Sequence, residues 1–216
     1  MNTLYLDNHL LVVNKPAGQL SQGDSTGDAD LVTEAKAFLK ERFDKPGNVF
    51  AGLVHRLDRP TSGVMVLART SKAAARLSEQ FRTRGPEKTY LAIVDGHLGD
   101  TGAWVEHEDG IVPKEAGGVA VVPLGSTGSQ TGRLRVRTLA NEHRRSLVEV
   151  ELLTGRKHQI RAQLAAAGAP VMGDFRYGKP TAFADGHGIA LHAVRLAIDH
   201  PTQKDRRVFV APPPAS

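Results

Sequence analysis

Apolar and polar positions alternate from Thr3 and then fuse into the run Leu10-Leu11-Val12-Val13, which Asn14-Lys15-Pro16-Ala17-Gly18 breaks. A period of two closed by Pro and Gly predicts a strand over residues 3–13. The polar, glycine-bearing stretch 21–30 reads as a mobile loop. Leu31, Ala35, Phe38 and Leu39 then recur at helical spacing, which predicts a helix over 31–43. A second helix is predicted over 70–84, with Thr70 or Ser71 as its cap and Ala74, Leu77 and Phe81 as its apolar stripe. Between the two, Val64-Met65-Val66-Leu67-Ala68 is uninterrupted and reads as a buried strand. Alternation returns over 88–94, with Thr89, Leu91 and Ile93 on one face and Lys88, Tyr90 and Ala92 on the other. Residues 97–131 are glycine-rich and weakly patterned, which predicts hairpins and loops. A strand follows over 147–153, then a helix over 157–167 stopped by Gly168 in the left-handed position. The final stretch 211–216 reads as a disordered tail. Strands interspersed with few helices predict an α+β fold with a mixed, mostly antiparallel sheet.

Composition narrows the class. The 216 residues carry 28 basic and 23 acidic side chains, a net charge of +5, and arginines outnumber lysines. The planar guanidinium fork suits phosphates and base edges, so a polyanionic partner is one reading, and an ordinary basic enzyme is the other. Cysteine is absent, which removes disulfides, thiolate metal sites and cysteine nucleophiles together and fits a reducing cytoplasm. No secretory signal and no run of membrane-spanning length is present, so a soluble, cytoplasmic protein is expected.

Two segments carry candidate chemistry. In His55-Arg56-Leu57-Asp58-Arg59-Pro60-Thr61-Ser62-Gly63 a single carboxylate, Asp58, sits between two arginines in a turn that feeds the buried strand. Nearby cations favour the ionised form, which can serve as nucleophile or base. In Gly155-Arg156-Lys157-His158-Gln159-Ile160-Arg161 donors crowd a strand-to-helix junction whose free N–H groups add a positive dipole end. Taken alone, this run also fits a solvated basic helix start. Tyr90 reads from periodicity as a packing residue. Arg133, Arg135 and Arg137 alternate along a strand and read as a solvated edge rather than an RNA-facing stripe. His55, His158, His187, His192 and His200 match no compact metal-ligand spacing. A Gly-x-Ser-x-Gly nucleophile elbow is missing, and the glycine pairs lack the strand-to-helix setting of a phosphate loop.

Together the motifs resemble the RluA-type pseudouridine synthases. The resemblance rests on Asn14-Lys15-Pro16-Ala17-Gly18, His55-Arg56-Leu57-Asp58-x-x-Thr61-Ser62-Gly63 and Lys88-x-Tyr90-x-Ala92-x-Val94-x-Gly96. It continues through Thr154-Gly155-Arg156-x-His158-Gln159-Ile160-Arg161, Gly168-x-Pro170-Val171-x-Gly173-Asp174-x-x-Tyr177-Gly178, and Leu191-His192-Ala193 with His200-Pro201. Residues 97–146 match poorly. Gln163 stands where the family often has His, and Arg133 and Arg135 stand where it is more often apolar or aromatic.

The resemblance implies one catalytic domain over 1–210 on the pseudouridine synthase fold, without the S4 domain of some relatives and with a cleft lined by Asp58, Tyr90 and Arg161. It implies conversion of uridine to pseudouridine in structured ribosomal or transfer RNA, by a monomer using neither metal nor cofactor. Asp58 takes the position of the essential aspartate, as nucleophile at C1′ or base on the ribose. Arg161 matches its cationic partner, and Tyr90 matches the ring that lies on the uracil, against the periodicity reading. Arg56 matches the residue that enters the RNA stack as the nucleotide turns out, because a stacked base hides C1′. Arg59, Lys15, Arg156, Lys157 and His158 are expected as RNA contacts. Two other classes compete. One is a non-catalytic RNA-binding or ribosome-assembly factor on the same scaffold, for which the Asp58, Tyr90, Arg161 set is superfluous. The other is a glycosyl hydrolase, which calls for a second acidic group near Asp58.

Overall fold

The computed structural model describes the whole chain except residues 116, 180–182, 184–185, 187 and 215–216. His187 and the last two tail positions therefore lie outside the described residues. The chain divides into two compact units, one formed by residues 1–87 with 193–216 and the other by residues 88–192.

The first unit is built on strands β1 (Thr3–Leu6), β2 (Leu10–Lys15), β3 (Gly52–Leu53) and β4 (Ser62–Ala68), with helices α1 (Leu31–Arg42) and α2 (Ser71–Arg82). The chain returns to it along β10 (Leu191–Asp199) and β11 (Arg206–Val210). β2 pairs antiparallel with β1 and β4, β3 with β4, and β11 with β10. The apolar runs behave as their sequence demands: Leu10 to Val13 and Met65 to Ala68 are completely buried. Strands buried on both faces lose the alternation and read as solid apolar segments.

Both helices of this unit start where a short polar side chain can take an orphan N–H. Asp30 accepts from Thr33 N–H at 3.1 Å, and Thr70 accepts from Ala73 N–H at 3.1 Å. Leu31, Ala35 and Leu39 are buried on α1; on α2 the buried pair is Ala73 and Leu77, with Ala74 and Phe81 half-buried. The tail begins later than expected. Ala211 is fully buried with its N–H on Val194 C=O, and the Asn14 amide donates to Pro212 C=O at 3.2 Å.

The second unit holds β5 (Glu87–Asp95), β6 (Trp104–Pro113), β7 (Val119–Val122), β8 (Gln130–Glu142), β9 (Arg145–Leu152) and helix α3 (Gln159–Ala166). Its strands run in the order β5-β9-β8-β6-β7, all antiparallel, and α3 packs on β6 and β7. Gly168, at φ 83°, ends α3 in the left-handed turn that L side chains resist.

The weakly patterned stretch therefore holds a hairpin, as expected, but one whose first strand, β6, is ten residues long against four in β7. β6 was hidden because its outer half, Trp104 to Asp109, is charged or half-exposed on both faces and shows no clean alternation. The arginine triplet lies on β8, which is no edge: it has β9 on one side and β6 on the other. Arg135 reaches Glu151 at 2.6 Å, Arg137 pairs with Glu149, and Arg133 lies 3.8 Å from Glu108. The Arg135 and Arg137 guanidinium carbons stand 4.7 and 4.8 Å from the Trp104 ring centre. The stripe is a solvated face of paired charges, as cross-strand neighbours of opposite sign favour.

Candidate active site

In the first unit, the Asp58 segment is held by its backbone from residue 55 onward. His55 accepts the Val66 N–H of β4 at Nε2, 3.0 Å away, one residue past the point where β3 stops pairing, and its ring stacks on Phe81 at 4.5 Å. The imidazole thus does the work of a missing strand carbonyl. Leu57 C=O accepts the Ser21 hydroxyl at 2.7 Å, and Asp58 C=O accepts Thr61 N–H at 3.0 Å, which closes the turn over Arg59-Pro60. Arg59 C=O accepts both Gly18 N–H at 2.9 Å and the Lys15 ammonium at 3.2 Å. Three consecutive carbonyls are therefore satisfied, and Asp58 itself is half-buried on a fixed turn.

Gly63 explains its place in the motif. Its φ is 125°, and a Cβ there would come within 2.4 Å of the Ala193 carbonyl oxygen of β10. Only glycine permits that approach.

Lys15, expected among the RNA contacts, is instead completely buried. Its Nζ donates to Pro16 C=O at 2.9 Å, Gln19 C=O at 2.8 Å and Arg59 C=O. Burial brings its pKa down to about 7, while the Asp58 charge acts in the opposite direction. A cation spent on three interior carbonyls is a clamp for the loop, not a phosphate contact. Arg59 is exposed, with Nε on Gly18 C=O at 3.0 Å and Nη2 on Asp28 at 2.8 Å, so it spans to the loop of residues 18–28. Arg56 projects as an exposed side chain, as a group that enters an RNA stack requires.

In the second unit, Tyr90 lies on β5 opposite Val150 and is 8% exposed. The donor-rich segment before α3 is shaped by a residue without an assigned role. Gln159 Nε2 donates to Arg133 C=O at 3.1 Å, and its Oε1 accepts Arg156 N–H at 3.0 Å and the Thr154 hydroxyl at 2.8 Å. That hydroxyl in turn accepts Arg133 N–H at 2.8 Å. One buried amide thus pins the start of the helix to β8. Arg156 turns its Nε to Thr131 C=O at 3.0 Å, and Lys157 is exposed. His158 sits at the helix cap with φ 52° and its Nδ1 2.8 Å from the Tyr177 hydroxyl. A Cβ on Gly155 would lie 3.5 Å from Lys88 Nζ, so a further cation borders this segment.

Arg161 is buried and forms a two-toothed ion pair with Asp174, Nε to Oδ2 at 2.7 Å and Nη2 to Oδ1 at 2.9 Å. The Asp174 side chain is wholly buried and also accepts Arg176 N–H at 3.0 Å and Tyr177 N–H at 3.3 Å. Burial pushes the carboxyl up, but the Arg161 bonds and charge and the two backbone donors outweigh it, so its pKa lies below the usual carboxylate value. Asp174 was visible only as a letter in a motif. Nothing in its spacing from Arg161 announces a pair. Among the described residues, no group of three His, Asp or Glu side chains is arranged to hold a metal.

The comparisons fit this geometry. Residues 9–166 match the model of the RNA pseudouridylate synthase family. The chain is 36% identical over 212 residues to the dual-specificity RNA pseudouridine synthase RluA of Yersinia pestis, covering 93% of each chain. It is 35% identical over 224 residues to RluA of Escherichia coli strain K12, covering 97% of this chain and 91% of that protein. A solved structure, human RNA pseudouridylate synthase domain containing 4, superposes with a TM-score of 0.80 at 25% identity over 99% of this chain and 88% of its own. The α+β fold is the pseudouridine synthase fold, and the chain belongs to the RNA pseudouridylate synthase family, enzymes that isomerise uridine in RNA.

Proposed function

We propose that the chain forms pseudouridine in both ribosomal and transfer RNA, with Asp58 acting at the ribose of an extruded uridine. Tyr90 is the ring on which the uracil lies, and Arg161 is the cation that accompanies the carboxylate. The reaction breaks the N1–C1′ bond, turns the freed uracil, joins C5 to C1′, releases the C5 proton and leaves N1 protonated, so substrate and product have the same atoms.

The observation that carries this reading is the confinement of Asp58. Three satisfied carbonyls, Leu57 to Arg59, fix its turn, so the backbone that presents the carboxylate needs no ordering when a flipped nucleotide arrives. A purely binding protein has no use for an anion on so firmly fixed a turn where polyanion must approach. What supports the breadth of substrate is that two relatives, each covered over more than nine-tenths of its length, are named dual-specificity.

Asp58→Asn keeps the shape and removes the charge. Tritium release from C5-labelled uridine in RNA is expected to vanish while RNA affinity and folding persist; full release overturns the assignment. Mapping pseudouridines in total RNA of a deletion strain beside its parent tests the breadth. Loss of sites in both RNA classes supports it, and loss in one class alone overturns it.

A further inference from the structure

Around Arg161 the second unit builds a support that the catalytic reading does not use. Asp174 grips the Nε–Nη2 edge of the guanidinium, and the Tyr177 ring lies 5.2 Å from its central carbon. The two supports are joined, because Tyr177 N–H donates to Asp174 Oδ1.

Tyr177 then reaches away from Arg161. Its hydroxyl accepts Val119 N–H of β7 at 2.9 Å and meets His158 Nδ1 at 2.8 Å. A Cβ on Gly118 would fall 2.9 Å from that hydroxyl, so the hairpin of β6 and β7 needs glycine there to come so close. His158 holds a left-handed backbone that non-glycine residues adopt only when their surroundings impose it, and it sits one helical turn from Arg161. Beneath the hairpin, Ile111, Val119 and Ala162 form one apolar cluster that Tyr177 packs against.

We infer that Asp174 and Tyr177 are positioning residues for Arg161: the carboxylate fixes the edge of the guanidinium, the ring fixes its plane, and the Tyr177 hydroxyl refers that plane to the β6–β7 hairpin and the start of α3. The hairpin, in the stretch that matches the family least, thereby becomes part of the catalytic support. The kinetic half of this inference rests on the function proposed above.

Two variants separate the supports. Asp174→Asn keeps one acceptor oxygen for the two backbone N–H groups but removes the ion pair. Tyr177→Phe keeps the ring and loses only the hydroxyl bonds. With saturating RNA, kcat is expected to fall about a hundredfold for Asp174→Asn and roughly tenfold for Tyr177→Phe, since small misplacements of a catalytic group cost that much. RNA affinity is expected to stay within about twofold. In an Arg161→Lys background neither change should lower kcat further, because both act through that side chain. Nitrogen-15 NMR reads the geometry without activity: the Arg161 Nε–H resonance should be protected from exchange in the parent, unprotected in Asp174→Asn and less protected than the parent in Tyr177→Phe. Retained protection and kcat with only a lower Tm would overturn the inference. A parent that releases no tritium refutes the proposed function instead, and the Arg161 resonance still decides the positioning.

Discussion

Lys15 shows how far a residue's chemistry is set by burial. In the open its ammonium would hold a proton to about 10.5, and in the fold its pKa falls to about 7, because three carbonyl acceptors offset only part of the lost hydration. Between pH 7 and 10.5 the unfolded chain therefore keeps a proton that the folded chain has released. Stability must rise with pH across that window, and the cost of burying the charge is fully present below it. Lys15→Met removes the titrating group, so its stability, measured by urea unfolding from pH 6 to 10, is expected to lose this upward slope. A slope equal to the parent's would mean that Lys15 stays charged throughout. A second residue acts by having no side chain. Gly63→Ala places a methyl against the Ala193 backbone at a φ reserved for glycine, and a loss of more than about 3 kcal/mol in the same assay is expected.

At the scale of elements, caps and pins decide where the chemistry stands. Thr70→Ala leaves the Ala73 N–H at the start of α2 without its acceptor and is expected to cost about 1 kcal/mol, read as a lower midpoint in urea with an unchanged slope. Such signals are local, which is why both long helices of the first unit and the solid strand β4 could be read directly from the sequence, whereas the single strand expected over 3–13 is the antiparallel pair β1–β2, turned where Asp7 accepts the His9 and Leu10 N–H groups. β6 could not be read, because a strand with charges on both faces has no period to detect until its neighbours are known. The site divides in the same way. Asp58, Tyr90 and Arg161 stand in recognisable motifs, whereas the pairings that shape their surroundings are not announced by spacing, even where the partner is itself a motif residue. Ser21 holds Leu57, Gln159 holds Arg133, and Asp174 holds Arg161. Lys15 departs from its expected role for a related reason: a lysine in a charged motif resembles a phosphate contact until its burial is known.

For the molecule as a whole, a net charge of +5 understates how unevenly its cations are free to meet RNA. Arg135 and Arg137 are each neutralised by a glutamate across β8 and β9, and both lie against Trp104. A phosphate would have to displace that partner, so these arginines add little to the field that draws a polyanion in. Arg56 and Lys157 are exposed on the two motif segments, and they are expected to carry phosphate contacts or their equivalent. The difference is measurable, because each phosphate contact releases counterions and steepens the fall of affinity with salt. Binding of a stem-loop RNA is therefore expected to weaken steeply with salt in the parent. Lys157→Met and Arg56→Met should each flatten the log–log slope by about one, whereas Arg135→Gln should leave it unchanged. An Arg135→Gln slope as flat as that of Lys157→Met would show that the paired face also binds RNA. A parent slope near zero would remove electrostatic capture from the account altogether, leaving shape and stacking to select the substrate.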